Sequence, residues 1–203
     1  MRTLIFATNN KHKLQEVREM LNGKVEIRSL DEMVQAGHTN LAGEIPETSP
    51  TLEGNALQKA QWVYERTGID CFADDTGLEV EALDGRPGVY SARYAGEHCT
   101  FDDNVNKMLG EMEGKTNRNA CFRTVVCLIE KDADGKPQVH NFEGRVDGQI
   151  LTERHGAEGF GYDPIFMPER FAVSFAEMPL EVKNRISHRG RAVKKLVEYL
   201  SQK

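Results

Sequence analysis

The sequence has little of what marks disulfide-stabilised, membrane-spanning or nucleic-acid-binding proteins. Its 203 residues include four cysteines, none of them in a CxxC pair or at metal-ligand spacing. We therefore expect reduced thiols in or near the core, and neither a disulfide framework nor a zinc site. No apolar run approaches the roughly 18 residues that a membrane-spanning helix needs. Positive charge is in deficit, since 26 Lys and Arg against 32 Asp and Glu give a net charge of −6. This balance argues against general affinity for nucleic acid or anionic membranes.

The first residues also lack the long apolar segment of a secretory signal. The short apolar run at residues 4–7 is followed at once by the polar residues 8–10. Together with the unpaired cysteines, this predicts a cytoplasmic protein. Hydrophobic residues make up 39% of the chain and charged residues 29%, which is an ordinary globular composition. At this length we expect a single domain over residues 1–203.

Apolar spacing predicts strands and helices that alternate along the chain. The predicted strands lie at residues 4–7, 25–28, 71–73, 78–82, 120–131 and 138–146, and the predicted helices at 11–21, 56–67, 101–112 and 190–202. The turn sequence at residues 132–135 predicts a hairpin between two late strands. The early strand–helix–strand order favours parallel pairing and the hairpin favours antiparallel pairing. The predicted fold class is therefore α/β with a mixed sheet.

The first candidate binding segment is the polar turn at residues 8–13, between a predicted strand and a predicted helix. A helix N-terminus offers unpaired N–H groups and a partial positive charge to an anion. Thr8, Asn9 and Asn10 add side-chain donors, and Lys13 adds a full positive charge. The glycines of a Walker loop are absent. An ordinary N-capped helix is the alternative interpretation.

Two adjacent carboxylates, Asp74 and Asp75, follow the predicted strand at residues 71–73. Ligands of open α/β sheets bind beyond the carboxyl ends of strands, and adjacent carboxylates there repel unless a cation or hydrogen bonds offset them. Oxygen ligands suit Mg²⁺, which bridges to substrate phosphates, and an Asp beside it can activate water. Glu47 is a further candidate ligand in a turn-rich stretch. The alternative is an Asx turn that caps the strand.

Two later segments are rich in glycine and in positive charge. Residues 156–164 hold three glycines with Phe160, Tyr162 and Asp163. Glycines permit close backbone approach to a ligand, and an aromatic ring can stack on a nucleobase; a tight turn with one ring in the core is the alternative. Residues 183–195 contain six Lys or Arg and no acid. Such a stretch binds anions or forms a solvated helix face.

Six segments of this kind stand in a distinctive order. They are residues 8–13 (TNNKHK), Glu47 with Asn55 and Lys59, residues 73–80 (ADDTGLEV), residues 87–94 (PGVYSARY), residues 159–164 (GFGYDP) and residues 187–190 (SHRG). This order closely resembles the inosine triphosphatase family, the bacterial dITP/XTP pyrophosphatases, from about residue 4 to residue 200. Each motif alone is weak, whereas all of them in register are specific.

The resemblance implies an enzyme that uses Mg²⁺ to hydrolyse ITP, dITP and XTP to the monophosphate and pyrophosphate. It also implies an elongated mixed β-sheet with flanking helices, two lobes with a central active-site cleft, and a homodimer. By position, it makes Asp75 the general base and a metal ligand, Glu47 the other metal ligand and Asp74 a supporting carboxylate. It assigns the triphosphate to Thr8, Asn9, Asn10, Lys11, His12, Lys13 and Lys59. It assigns the rest of the substrate to Thr76, Phe160, Gly161, Tyr162, Asp163, Lys183, Ser187, His188 and Arg189, with Phe160 stacked on the purine.

Base selection has a simple physical basis in this scheme. Donors aimed at the 6-keto oxygen of ITP or XTP would meet the 6-amino group of ATP, at a cost of about 1–3 kcal/mol for each buried donor left unpaired. Lys183, His188 and Arg189 are suitable donors. Two alternatives stay open: a nucleotide pyrophosphatase with another base preference, and a nucleotide-binding module without turnover. The presence of Asp75, Glu47 and Lys13 counts against the module.

Overall fold

Strands and helices alternate along the chain in the computed structural model, which describes residues 2–21 and 23–202. The strands are β1 (Thr3–Phe6), β2 (Glu26–Ser29), β3 (Cys71–Val80), β4 (Pro87–Gly88), β5 (Asn119–Lys131), β6 (Pro137–Ile150) and β7 (Phe166–Pro168). The α-helices are α1 (Lys11–Leu21), α2 (Leu30–Gln35), α3 (Leu52–Thr67), α4 (Phe101–Glu111), α5 (Leu180–Ile186) and α6 (His188–Leu200). None of the described helices is long and apolar enough to cross a membrane.

The strands form a mixed sheet in the order β2-β1-β3-β5-β6-β7, with β4 paired to β3. Strand β1 runs parallel to both of its neighbours, so that Ile5 lies opposite Arg28 of β2 and Cys71 of β3. The β3–β4 and β6–β7 pairs are antiparallel. Early parallel pairing and late antiparallel pairing are thus both present, and the predicted mixed α/β class is confirmed.

The chain divides into two compact units. The first contains the described residues of 1–75, 124–143 and 192–203, and the second contains residues 76–123 and 144–191. Strands β3, β5 and β6 each contribute residues to both units. The expectation of one domain over residues 1–203 stays a prediction.

Each unit has its own apolar core. In the first unit, Phe6 of β1 and Phe72 of β3 stack with their ring centroids 4.6 Å apart, and Val17 and Leu21 of α1 pack into the same cluster. In the second unit, Phe122 of β5 meets the ring of Phe166 edge-on at 4.7 Å. Many of the apolar residues that defined the predicted strands and helices are therefore buried, although Phe101 and Val139 are exposed.

Strand β3 differs from the prediction in a way that bears on the site. The sequence predicted two short strands, at residues 71–73 and 78–82, whereas one strand runs from Cys71 to Val80. Asp74 and Asp75 lie inside this strand and are buried, so the prediction that the strand ends before them is wrong. Polar residues at buried positions interrupt the apolar pattern by which a buried strand is recognised.

Helix α3 begins one turn before the predicted start, because Thr51 caps it. The Thr51 side chain accepts a hydrogen bond from the N–H of Gly54. The helix ends as predicted at Gly68, whose φ of 63° is the left-handed conformation typical of a glycine C-cap. The added turn places Asn55 and Lys59 on the same helix face.

Candidate active site

The turn before α1 is closed by the side chain of Asn10. Its Oδ1 atom accepts hydrogen bonds from the N–H groups of His12 and Lys13, at 3.0 and 3.1 Å. Thr8 Oγ1 accepts from the N–H of Asn10 in the same turn. The structure thus has an ordinary N-capped helix, which is the alternative to an open anion-binding turn. The cap engages two of the N–H groups that were predicted to bind an anion.

The other residues of this segment differ in exposure. Asn9, Lys11 and His12 are exposed, whereas Lys13 is half-buried. The Lys13 ammonium lies 3.0 Å from Asp74 Oδ1. Of the segment predicted to bind triphosphate, Lys13 is therefore the side chain that the structure joins to the acidic pair.

Lys59 connects two carboxylates that are distant in sequence. Its Nζ atom lies 2.6 Å from Glu47 Oε1 and 3.4 Å from Asp75 Oδ1. Lys59 extends from α3, Asp75 lies in β3, and Glu47 lies in the irregular segment that leads into α3. We call Lys13, Glu47, Lys59, Asp74 and Asp75 the carboxylate–lysine cluster. All five were predicted as site residues, and the first unit brings them together.

Asp75 is buried in a way that leaves one oxygen unsatisfied. Its Oδ2 atom is buried and has no hydrogen-bond partner among the residues that the structure describes. Burial raises the pKa of the Asp75 carboxyl, and the positive charges of Lys59 and Lys13 only partly oppose this effect. A carboxylate with a raised pKa and a vacant lone pair is suited to accept a proton from a bound water.

Lys59 stays charged despite its burial. Desolvation by itself lowers the pKa of a buried ammonium. Here the negative charges of Asp75, Glu47 and Asp74 outweigh desolvation and raise the pKa of Lys59 above its ordinary value. The cluster therefore holds a permanent cation between its carboxylates.

The second unit contains a different constellation, built around Asp163. The Asp163 Oδ2 atom accepts a hydrogen bond from Lys183 Nζ at 2.7 Å and another from the N–H of Phe160 at 3.0 Å. Gly159, with a φ of 74°, makes this turn possible, because a Cβ there would lie 2.1 Å from Asp163 Oδ2. Asp163 and Lys183 are both buried. This pair fixes the glycine-rich turn to α5.

The Phe160 ring lies among cations, as a base-stacking residue could. The Lys183 ammonium is 5.0 Å and the Arg189 guanidinium 5.6 Å from its ring centroid. The ring of Phe101, at the start of α4, contacts the ring of Phe160, and their centroids are 5.9 Å apart. Arg189 also donates a hydrogen bond to Thr76 Oγ1 at 3.2 Å. We call Thr76, Phe160, Asp163, Lys183 and Arg189 the aromatic–cation cluster.

The basic stretch at residues 183–195 is partly buried. Lys183, His188 and Arg189 are buried, whereas Arg185, Arg191, Lys194 and Lys195 are exposed. His188 stacks on Phe122 with centroids 4.5 Å apart. Ser187 stands between α5 and α6, and its Oγ atom accepts from the N–H of Gly190. The interpretation as a solvated helix face holds for the exposed residues alone.

Two of the predicted substrate residues have structural roles in this protein. Tyr162 is in the core of the second unit, and its hydroxyl donates to the carbonyl of Ser91 at 2.7 Å. Burial raises the pKa of Tyr162 well above its ordinary value. Gly161 follows Phe160 with a φ of 61° and shapes the turn. The substrate roles predicted for these residues stay predictions.

The structure also draws attention to residues to which the sequence analysis gave no role. Asn55 and Gln58 of α3 bond the segment that carries Glu47, Phe122 supports His188, and Phe101 contacts Phe160. Asn55 could have been singled out from the sequence, because it falls on the apolar helix face formed by Leu52, Ala56, Ala60 and Val63. A polar residue at a core-facing position is a signal of function or of a specific bond.

Comparisons with known proteins identify a family for the chain. The Ham1 family model matches residues 4–199. The chain is 55% identical to a dITP/XTP pyrophosphatase of Porphyromonas gingivalis, with 98% of each chain covered. It is 50% identical to a dITP/XTP pyrophosphatase of Flavobacterium johnsoniae, covering 98% of this chain and 97% of that one. The solved structure of the Staphylococcus aureus Ham1 protein is similar at a TM-score of 0.85 and 32% identity, with 99% of each chain covered. The chain belongs to the Ham1 family.

Proposed function

We propose that this protein hydrolyses noncanonical purine nucleoside triphosphates, namely ITP, dITP and XTP, to the monophosphate and pyrophosphate. The names of its close relatives support the activity. The observation that carries the proposal is the carboxylate–lysine cluster, in which a buried carboxylate with a vacant oxygen lies next to buried positive charge. This arrangement suits the attack of water on a phosphate anhydride.

Asp75 is the general base in this proposal. Its Oδ2 atom has no competing donor among the described residues, so a water can take that position. The raised pKa makes the carboxylate a stronger base than an ordinary Asp. The Lys59 ammonium holds Asp75 in place through the other carboxylate oxygen, Oδ1. The proton of the attacking water passes to Asp75 as the anhydride bond breaks.

We propose Mg²⁺ as the cofactor, held by Glu47 and Asp75. Among the described residues, no group of three or more His, Cys, Asp or Glu is arranged as a metal site. Two carboxylates nevertheless fit Mg²⁺, which keeps several waters and takes phosphate oxygens as further ligands. Both carboxylates reach the same Lys59 ammonium, and one Asp75 oxygen has no partner in the described part of the chain. When bound, the ion would neutralise charge on the phosphates.

The cations of the cluster bind the triphosphate. Lys13 and Lys59 supply two positive charges that offset the charge of the departing pyrophosphate. Asn9 and Lys11 are exposed at the start of α1 and can contact the outer phosphates. The Asn10 cap holds the first turn of α1 in place while they do so.

The aromatic–cation cluster selects the base. Phe160 stacks on the purine, and the buried donors Lys183 and Arg189 meet the 6-keto oxygen. A 6-amino group would leave such donors unpaired, which costs about 1–3 kcal/mol for each one. Discrimination against ATP follows from that penalty.

A panel of nucleoside triphosphates with Mg²⁺ tests the function. We expect pyrophosphate, not orthophosphate, from ITP, dITP and XTP at rates well above those for ATP and GTP. Asp75→Asn should lower kcat by roughly a thousandfold or more while nucleotide binding is retained, because the base is lost and the cations remain. Asp134→Asn, at an exposed turn residue, is the matched control and should leave turnover unchanged.

The panel also decides between the proposal and its alternatives. Preference for another base, or equal rates with ATP, would contradict the purine selectivity. Binding without any turnover would indicate a non-catalytic module. Orthophosphate as the main product would contradict cleavage at the α-phosphate.

We also propose a homodimer in the cytoplasm, on the basis of the family resemblance. Light scattering after size-exclusion chromatography should give twice the 22.8 kDa mass of one chain.

A further inference from the structure

We propose that Asn55 is a positioning residue that acts with the carboxylate–lysine cluster. Its amide oxygen holds the segment that carries Glu47, and its amide nitrogen donates to an oxygen of the bound substrate or of an ordered water. The inference rests on the proposed function, since that function supplies the oxygen acceptor. It extends the site to a residue with no assigned role.

The Asn55 side chain is fully buried and only half satisfied. Its relative exposure is 0%. The Oδ1 atom accepts a hydrogen bond from the N–H of Ser49 at 2.8 Å. The Nδ2 atom is buried and has no hydrogen-bond partner among residues 2–21 and 23–202. Buried amide donors are nearly always bonded, so this one calls for an acceptor that comes from outside the chain.

The orientation of the amide is set by its neighbour. Ser49 offers a backbone N–H, which only an oxygen can accept. A flipped amide would place its NH₂ group against that N–H and lose the bond. The donor side of Asn55 must therefore be the side that is left without a protein partner.

Helical spacing relates this donor to the site. Asn55 and Lys59 are four residues apart in α3, so they lie on one face of the helix, and both are buried. Lys59 contacts Glu47 and Asp75. The unsatisfied donor and the proposed catalytic carboxylates thus belong to the same side of α3.

The start of α3 also holds the segment before it through several bonds. Asn55 bonds the N–H of Ser49, Gln58 Oε1 accepts from the N–H of Thr48 at 2.9 Å, and Lys59 bonds Glu47 itself. Gly54 allows the close approach, since a Cβ there would lie 1.9 Å from Ser49 Oγ. Three consecutive residues, Glu47 to Ser49, are therefore fixed by side chains of one helix.

A second buried asparagine provides a direct comparison. Asn104 is the fourth residue of α4, as Asn55 is of α3, and both helices have a threonine N-cap. Asn104 Oδ1 accepts from the N–H of Ala95, and its Nδ2 donates to the carbonyl of Ala92 at 3.1 Å. The Asn104 amide therefore has protein partners on both sides, whereas the Asn55 Nδ2 atom has none in the part of the chain that the structure describes.

The test compares four variants with the wild type. Asn55→Asp keeps the acceptor for Ser49 and removes the donor, and Asn55→Ala removes both without adding charge. Asn104→Asp is the matched control for a buried asparagine, and Gln58→Ala loosens the same segment with the Asn55 amide intact. For each protein we would measure kcat and KM for ITP, the Mg²⁺ dependence, and the thermal shift with Mg²⁺ alone, pyrophosphate alone, and both.

We expect both Asn55 variants to lose roughly 10- to 100-fold in kcat/KM and most of the thermal shift given by Mg²⁺ with pyrophosphate. Asn104→Asp should lower the melting temperature and keep kcat/KM and the ligand-induced shift. The single-ligand arms identify the acceptor: loss of the shift with pyrophosphate alone indicates a phosphate oxygen, and loss only when Mg²⁺ is present indicates an ordered water.

The proposal is overturned if Asn55→Ala keeps the wild-type kcat/KM and thermal shift, and Asn55→Ala decides the matter if Asn55→Asp does not fold. The donor role is overturned if Gln58→Ala reproduces the whole loss, because tethering would then suffice. Absence of ITP turnover in the wild type would reject the proposed function instead, and the thermal shifts would still decide the role of Asn55.

Discussion

At the scale of single residues, the site consists of charges whose burial is offset by close partners. Lys59 has Glu47 and Asp75, and Lys183 has Asp163. These partners are 12 to 20 residues apart in sequence. A motif can single out each residue, whereas the pairing depends on the fold. The sequence therefore singled out these residues but did not show that the lysines would be buried against the carboxylates.

Ionisation of Asp75 should lower the free energy of unfolding of the metal-free protein. Its pKa is raised in the folded state, so the folded protein holds this proton more tightly than the unfolded chain does. The free energy of unfolding should then rise as pH falls through the raised pKa and level off below the ordinary Asp value. Asp75→Asn should therefore be more stable than the wild type at neutral pH, because the variant carries no buried negative charge at this position.

Urea denaturation in the presence of a chelator, at a series of pH values, would measure this effect. The stability difference between Asp75→Asn and the wild type should shrink toward acid pH, while Asp134→Asn should follow the wild type throughout. A wild type that is more stable than Asp75→Asn at neutral pH and loses that advantage in acid would reverse the sign and contradict the prediction.

At the scale of elements, the bounds of helices and strands with regular apolar spacing were predicted well. The bounds of an element that contains buried polar residues were predicted poorly. Helix α1 has the predicted bounds, because Leu14, Val17 and Leu21 repeat on one face. Helices α2 and α5 were not predicted, since they have six and seven residues and too few turns for a periodic pattern. Strand β3 was divided because Asp74 and Asp75 occupy buried positions. The missed helices are thus short, whereas the error in β3 falls where polar residues are buried, as they are at functional sites.

The turn before Asp163 should tolerate no side chain at Gly159. A Cβ there would meet Asp163 Oδ2 at 2.1 Å, and the φ of 74° disfavours other residues. Gly159→Ala should disturb the bonds of Asp163 to Phe160 and Lys183 and raise KM for ITP by roughly tenfold or more. Gly135→Ala is the matched control, because its φ is 77° but nothing lies within 4 Å of the added Cβ. Equal kinetics for the two variants would show that the contact with Asp163 is unimportant.

At the scale of the whole molecule, free cysteines lie in both compact units, so their reactivity can follow the unfolding of each unit. Cys71 and Cys127 are buried in the first unit and Cys121 in the second, whereas Cys99 is half-buried. Burial raises the pKa of Cys127 to about 12 and contributes most to the rise of the Cys121 pKa to about 11. A thiol needs its thiolate to react, so in the native protein Cys99 should be alkylated first and the other three only after unfolding.

Pulsed alkylation over a denaturant series would test whether the units unfold together. Three strands are covalently continuous from one unit into the other, so we expect Cys71, Cys127 and Cys121 to become reactive at the same denaturant concentration. Cys99→Ser should remove the fast phase and leave the others unchanged. Earlier labelling of Cys121 than of Cys71 would indicate separate unfolding of the second unit.

The charges of the carboxylate–lysine cluster have a thermodynamic consequence for how the two proposed ligands, Mg²⁺ and nucleotide, affect one another. With every side chain ionised, Lys13 and Lys59 face Glu47, Asp74 and Asp75, so two positive and three negative charges leave a net charge of −1. A divalent cation bound alone would change this to +1, and a triphosphate bound alone would add to the negative charge. Each ligand therefore improves the electrostatic environment for the other. If Mg²⁺ binds as proposed, reciprocity requires that it tighten nucleotide binding by the same factor by which nucleotide tightens Mg²⁺ binding.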